Sequence, residues 1–331
     1  MKYSFYIGII FSLFSACCYS QSFDIDEKYR GDPFFSKLDM QKLEQDCTFP
    51  LNYPELDYSK QVEVNKRCPL YYNFSSYFSN VNHLIDKKTV IYQKDDLKLE
   101  LNKESYRYKE DVNEYSNGDE YTGEKLILSL IKNNEVKDKI TLANKFTNET
   151  TLLSVGYRYY YFAPSGDIYT LSLIEMDDGI FPQIWMHYKI DEKNSKFNLV
   201  QIYHRGYQIT YPDNLTILPN PYRDEHYKKS EFDRCLKDPY KEDCSLKYVE
   251  DVYRYYLQQL KQKTGQLAQK ANTTKNLFTP LKKKRDKLCL DKNTLIGNGY
   301  LFPYLDYSEL TLCEIKQLKQ DINSVKKELA K

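Results

Sequence analysis

The chain has 331 residues, 48 Lys+Arg against 47 Asp+Glu for a formal net charge of +1, and 41% apolar residues. Length and apolar content suffice for folded cores and about two domains, which excludes wholesale disorder. Only 11 glycines argue against phosphate-cradling loops, and the balanced charge argues against a general nucleic-acid binder.

The first segment reads as an export signal. Lys2 precedes an apolar run from Ile7 to Phe14, and small residues follow. The run is too short to span a bilayer comfortably, so residues 1–20 read as a signal peptide. Cleavage after Ser20 would start the mature chain at Gln21. Alternatively, Phe14-Ser15-Ala16-Cys17 is similar to a bacterial lipoprotein signal, which would leave a lipid on Cys17. Membrane contact is expected only through such an anchor.

Export makes the cysteines interpretable. Cys17 and Cys18 belong to the signal, leaving Cys47, Cys68, Cys235, Cys244, Cys289 and Cys313. An even number in an oxidising compartment implies disulfides. The simplest scheme joins sequence neighbours: Cys47–Cys68, Cys235–Cys244 and Cys289–Cys313. Each loop would hold about 10 to 25 residues and contribute roughly 2.5–3.5 kcal/mol. A zinc site would want a Cys-x2-Cys pair, which is missing, and His83, His187, His204 and His226 are scattered. No metal or cofactor is expected.

Residues 21–46 form a lead-in, broken by Gly31 and Pro33, with a short helix over 36–45. The span 47–204 is expected to be a strand-rich domain. Leu97, Leu99 and Leu101 alternate with charged residues, the period of a half-buried strand. Further strand-like runs follow to about residue 203. Turn signals separate them at Asn117-Gly118, Asn133-Asn134, Ser165-Gly166-Asp167 and Asp178-Gly179. Strands at this spacing without intervening helices predict an antiparallel meander, sandwich or partial barrel. The 33 tyrosines suit it, since Tyr is a strong strand former.

Within this half, Tyr157, Tyr159 and Tyr161 fall on one strand face and Tyr160 on the other, with Trp185 and Tyr188 downstream. Such a row serves either as packing or as a stacking platform for sugar rings. Asp177-Asp178 sits in a hairpin turn, where solvation is the default. No Gly-x-Ser-x-Gly, His-Glu-x-x-His, Walker or Gly-x-Gly-x-x-Gly motif occurs, so no catalytic residue is assigned. Asn73, Asn148, Asn214 and Asn272 head Asn-x-Ser/Thr triplets.

Residues 205–234, with Pro212, Pro219 and Pro221, read as a linker. Beyond it the period changes. Leu246, Val249, Val252, Tyr253, Tyr256, Leu257 and Leu260 recur at three and four, one helix face. A second helix runs from Leu267 to Leu288, kinked or restarted near Pro280. A third opens at Asp306 with Glu309 as a capping box. The fold class is therefore α+β: an antiparallel strand-rich domain, then a disulfide-stapled helical bundle over 235–331. The bundle holds 19 Lys+Arg and 12 Asp+Glu, net +7, whereas 21–234 holds 28 and 35, net −7. Solvated faces, mutual docking of the halves, or separate partners would each account for that split.

Arg285 and Asp286 are adjacent, about 100° apart on a helix, so each is expected to find its own buried partner on another helix. The run Lys282, Lys283, Lys284 and Arg285 reads as a solvated face.

Three features of residues 235–331 resemble the LprI-type lysozyme-inhibitor family of bacterial envelopes. Cys235 and Cys244 precede an apolar-striped helix. Arg285, Asp286 and Cys289 share the next helix. Gly297-Asn298-Gly299, Pro303 and Cys313 then lead into a closing helix. The resemblance implies a disulfide-stapled helical fold, a periplasmic or secreted location, and binding of muramidases or other cell-wall hydrolases. The expected function is an exported envelope protein that binds, and thereby inhibits, such an enzyme. A periplasmic immunity protein against a delivered toxin fits the same features. So does an envelope hydrolase or sugar binder built on the strand-rich half. Against a basic enzyme, the acidic half would be the better electrostatic partner.

Overall fold

Alternating apolar residues from Thr89 onward build one antiparallel sheet of ten strands in simple chain order. A computed structural model describes residues 22–47, 58–71, 88–109, 118–150, 155–176, 179–204, 206–211, 214–218, 227–241, 244–295, 304–305 and 307–331. The expected export signal with Cys17, and Gln21, Asn73, His83, Asn117, Asp177-Asp178, Pro212, Pro219, Pro221, His226, residues 297–299, Pro303 and Asp306 lie outside the described residues.

The strands are β1 (Thr89–Lys94), β2 (Leu97–Lys109), β3 (Glu120–Lys132), β4 (Glu135–Asn148), β5 (Val155–Phe162), β6 (Asp167–Met176), β7 (Gly179–Asp191), β8 (Lys196–His204), β9 (Tyr207–Thr210) and β10 (Asn214–Ile217). Asn133 and Asn134 both take positive φ, 53° and 62°, the conformation a tight β3–β4 hairpin demands.

The sheet does not stay in one layer. β4 pairs with β5 only from Asn144 to Thr147, opposite Val155–Arg158. Its first half leaves β5 and lies against β8, where Phe197 N donates to Asp138 Oδ2 at 2.8 Å. Arg158 sits buried at the fork. Its Nη1 donates to the Thr141 carbonyl at 3.3 Å and its Nε to Ser172 Oγ at 2.8 Å. The guanidinium thus reaches a carbonyl of the diverging strand beyond the last β4–β5 pair.

The fork also leaves the far end of β5 without a strand partner, and the lead-in fills it. Phe162 N donates to the Arg30 carbonyl at 2.7 Å, and Asp32 N to the Tyr160 carbonyl at 3.1 Å. Gly31 between them has φ 75°, and a Cβ there would meet Tyr160 O at 2.1 Å. Only glycine fits that approach. A 3-10 turn (Pro33–Ser36) follows, then α1 (Met40–Cys47) and α2 (Tyr58–Arg67), which the Cys47–Cys68 disulfide joins. The helix expected over 36–45 therefore starts later, because the proline at its front forms the turn instead.

The stretch expected to be a linker, 205–234, is folded where it is described. Alternating Tyr207 and Ile209, then Leu215 and Ile217, make β9 and β10, and α3 (Lys229–Lys237) follows. Then come α4 (Leu246–Lys270), α5 (Phe278–Asn293), the short β11 (Thr294–Leu295) and β12 (Tyr304–Leu305), and α6 (Tyr307–Ala330). The break between α4 and α5 falls at 271–277, upstream of Pro280. Asn276 Oδ1 accepts from Phe278 N and Thr279 N, both at 3.0 Å, capping α5, so Pro280 lies in the first turn where it is tolerated.

Two cores result. One gathers the lead-in and most of the sheet. The other combines Ile184, Met186, Ile202, Tyr207, Ile209, Leu215 and Ile217 with Val252, Tyr253, Leu260, Leu290, Leu310, Ile315 and Leu318. The helices thus complete their core against β7–β10.

Candidate functional site

The row of tyrosines forms as alternation requires. Tyr157 and Tyr159 stack at 5.8 Å between ring centroids, Tyr161 stacks on Tyr169 at 6.4 Å, and Tyr169 on Trp185 at 5.9 Å. Tyr160 points the other way, and its hydroxyl donates to the Tyr29 carbonyl at 2.8 Å. The row is roofed. Phe35 of the lead-in stacks on Tyr159 at 5.5 Å, and Trp185 Nε1 donates to the Phe35 carbonyl at 2.8 Å. Tyr157, Tyr159 and Trp185 are buried, and Tyr161 is half-buried. Tyr188 lies on the opposite face from Trp185, with its hydroxyl on Met186 Sδ at 3.1 Å.

Arg285 and Asp286 are also interior, each 1% exposed. On α5, Lys282, Arg285, Asp286 and Cys289 follow helical spacing and turn inward together. Arg285 Nε donates to Glu314 Oε2 of α6 at 2.6 Å, and Nη1 to Asp321 Oδ2 at 3.3 Å. That is the expected partner on another helix. Asp286 differs from expectation: its Oδ2 accepts from Leu215 N of β10 at 2.9 Å and from Lys282 Nζ. The strand offered a free backbone N–H, and a buried carboxylate takes such a donor more readily than a distant cation. Lys282 also donates to Asn214 Oδ1 at 3.0 Å and to the Leu215 carbonyl at 2.6 Å. The basic run is therefore split: Lys283 and Lys284 are solvated, whereas Lys282 and Arg285 clamp structure. Burial pushes the Glu314 carboxyl up to about 7; Arg285 opposes the shift and Asp286 adds to it.

All three disulfides join sequence neighbours, Cys47–Cys68, Cys235–Cys244 and Cys289–Cys313. Among the described residues, no group of three or more His, Cys, Asp or Glu could hold a metal ion. Asn148 is buried with its amide on Asp119 Oδ2 at 2.7 Å, whereas Asn214 and Asn272 are exposed.

An accessible cluster lies elsewhere, around the Cys235–Cys244 bridge. Tyr240 is 50% exposed and Tyr255 39%. Tyr255 meets Phe232 of α3 at 6.5 Å and Tyr256 at 5.3 Å, both edge to face. Lys319 of α6 places its Nζ 5.1 Å from the Tyr256 ring centroid and 5.9 Å from that of Tyr240. Lys229 lies over Phe232 at 4.6 Å. The result is a continuous aromatic belt with lysines across three helices, half in water and half on the bundle. Sequence reasoning missed it, although a signal existed. Tyr253, Tyr255 and Tyr256 span more than one helix face, so they cannot all point inward.

No protein-family model, curated protein or solved structure matches the chain.

Proposed function

We propose that this chain is an exported envelope protein that binds a lysozyme or other cell-wall hydrolase by surface contact and blocks its cleft. The observation that carries the reading is the belt of Phe232, Tyr255, Tyr256 and Lys319 on three helices, with Tyr240 in the turn after α3, tied by two disulfides. Tyr is among the residue types enriched at protein interfaces, because it buries large area at low entropic cost. A rigid, pre-shaped face avoids the ordering cost of binding. Three disulfides support an oxidising compartment, in keeping with the export signal. The resemblance of the cysteine spacing to LprI-type modules points to the same class of partner.

The test uses the full mature chain with its disulfides intact, against a panel of muramidases acting on peptidoglycan. At least one enzyme should be slowed by the intact protein. The double variant Tyr240→Ala/Tyr255→Ala should weaken that inhibition by about tenfold or more. If no enzyme of the panel is bound, the hydrolase-inhibitor reading fails.

A further inference from the structure

The cluster at the α5–α6 seam holds more negative than positive groups. Glu314 and Asp321 reach it from α6, Asp286 from α5, and among the described residues Arg285 and Lys282 balance them. Tyr253 of α4 also faces the cluster, and its neighbour Arg254 is engaged by Glu250, Asp251 and the Leu218 carbonyl. Lys284 acts on Asp321 from the solvent side. The strand β10 contributes Asn214 and the Leu215 backbone, with no charge.

Two carboxylate oxygens in this cluster, Asp286 Oδ1 and Glu314 Oε1, are sealed from water and accept no hydrogen bond among the described residues. Both carboxylates reach the same guanidinium: Glu314 at 2.6 Å from Arg285 Nε, and Asp286 at 3.9 Å from Nη2. Two buried acceptors without donors, beside an excess of negative charge, are costly. One proton on a carboxylate of the cluster would bring its charge to balance.

We propose that Glu314 carries a proton in the folded protein, so that the seam is a pH-sensitive clasp for α6. Glu314 is the carrier because it is wholly buried and takes a single donor, Arg285 Nε, whereas Asp286 takes two, Leu215 N–H and Lys282. The upward push on the Glu314 carboxyl, to about 7 from 4.5, agrees with that assignment. The sign follows. Between about 4.5 and about 7 the folded chain holds a proton that the unfolded chain lacks, so stability falls as pH rises through that window. Above it, α6 and its Lys319 are held less firmly.

The experiment is urea unfolding of the intact, disulfide-bonded chain between pH 5 and 8. Relative to the Glu314→Gln variant, the folded-to-unfolded ratio of the wild type should fall with rising pH, approaching tenfold per unit at the limit of one whole proton. Glu314→Gln, which mimics the neutral acid, should itself lack that component and should match or exceed wild type at pH 8. Equal slopes in the two proteins would overturn the proposal. Should the variant fail to fold, carbon NMR of Glu side-chain carboxyls in the wild type decides. One resonance should titrate near neutrality, and the proposal is overturned if all titrate in the ordinary acidic range.

Discussion

Arg285 donates through Nε to Glu314 at 2.6 Å, and four residues along the same helix Cys289 is bonded to Cys313, the residue before Glu314. One hydrogen bond and one disulfide therefore fasten the same two helices in neighbouring turns. The disulfide restrains the unfolded chain, whereas the hydrogen bond acts only in the folded one.

Removing the disulfide should lower stability without separating the halves. Cys289→Ser/Cys313→Ser is expected to cost about 2–4 kcal/mol. Because α4–α6 share a core with β7–β10, the loss should appear as one joint transition. Trp185, the single tryptophan, reports the sheet, and far-ultraviolet circular dichroism at helical wavelengths reports the bundle. The two curves should coincide; a helical transition well ahead of the tryptophan signal would contradict the shared core.

Arg285→Met should cost about 3–5 kcal/mol, since it takes the cation from the buried Asp286 and from Asp321 and the donor from the Glu314 carboxyl. The double variant Arg285→Met/Glu314→Leu removes both partners of the hydrogen bond and should recover part of that loss. A double variant that is worse by the sum of the two single changes would show that the groups do not act together.

Gly31→Ala should detach the lead-in from β5, because its Cβ would lie 2.1 Å from Tyr160 O. The Phe35 roof then lifts from Tyr159 and Trp185. Trp185 emission should shift to the red, and proteases should cut within residues 22–39 earlier than in wild type. Unchanged emission would mean the roof is held independently of Gly31.

Tyr240→Ser and Tyr255→Ser test the belt separately from folding. Both side chains are substantially in water, so each change should move the urea midpoint by less than the equivalent of about 0.5 kcal/mol. Partner binding should nonetheless weaken. A variant that loses stability and binding together would place these tyrosines in the scaffold.

Local periodicity determined much of this protein. Leu97, Leu99 and Leu101 marked a buried strand face, Asn133-Asn134 a hairpin, and Val249, Val252 and Leu260 a helix stripe. Each of these depends on neighbours a few residues away, so sequence spacing carries the information. The disulfides were legible for the same reason, since each closes a short loop. Only the tertiary structure decided what covers each face. Alternation put Tyr157, Tyr159 and Tyr161 in a row, but Phe35 roofs that row because β4 peels from β5 and frees an edge for the lead-in. Asp286 was visible as a buried group, yet its donor is Leu215 N, 71 positions away on a strand inside the expected linker. Side-chain pattern tells a residue which way it faces on its own element. The element waiting opposite is chosen by packing across the whole chain.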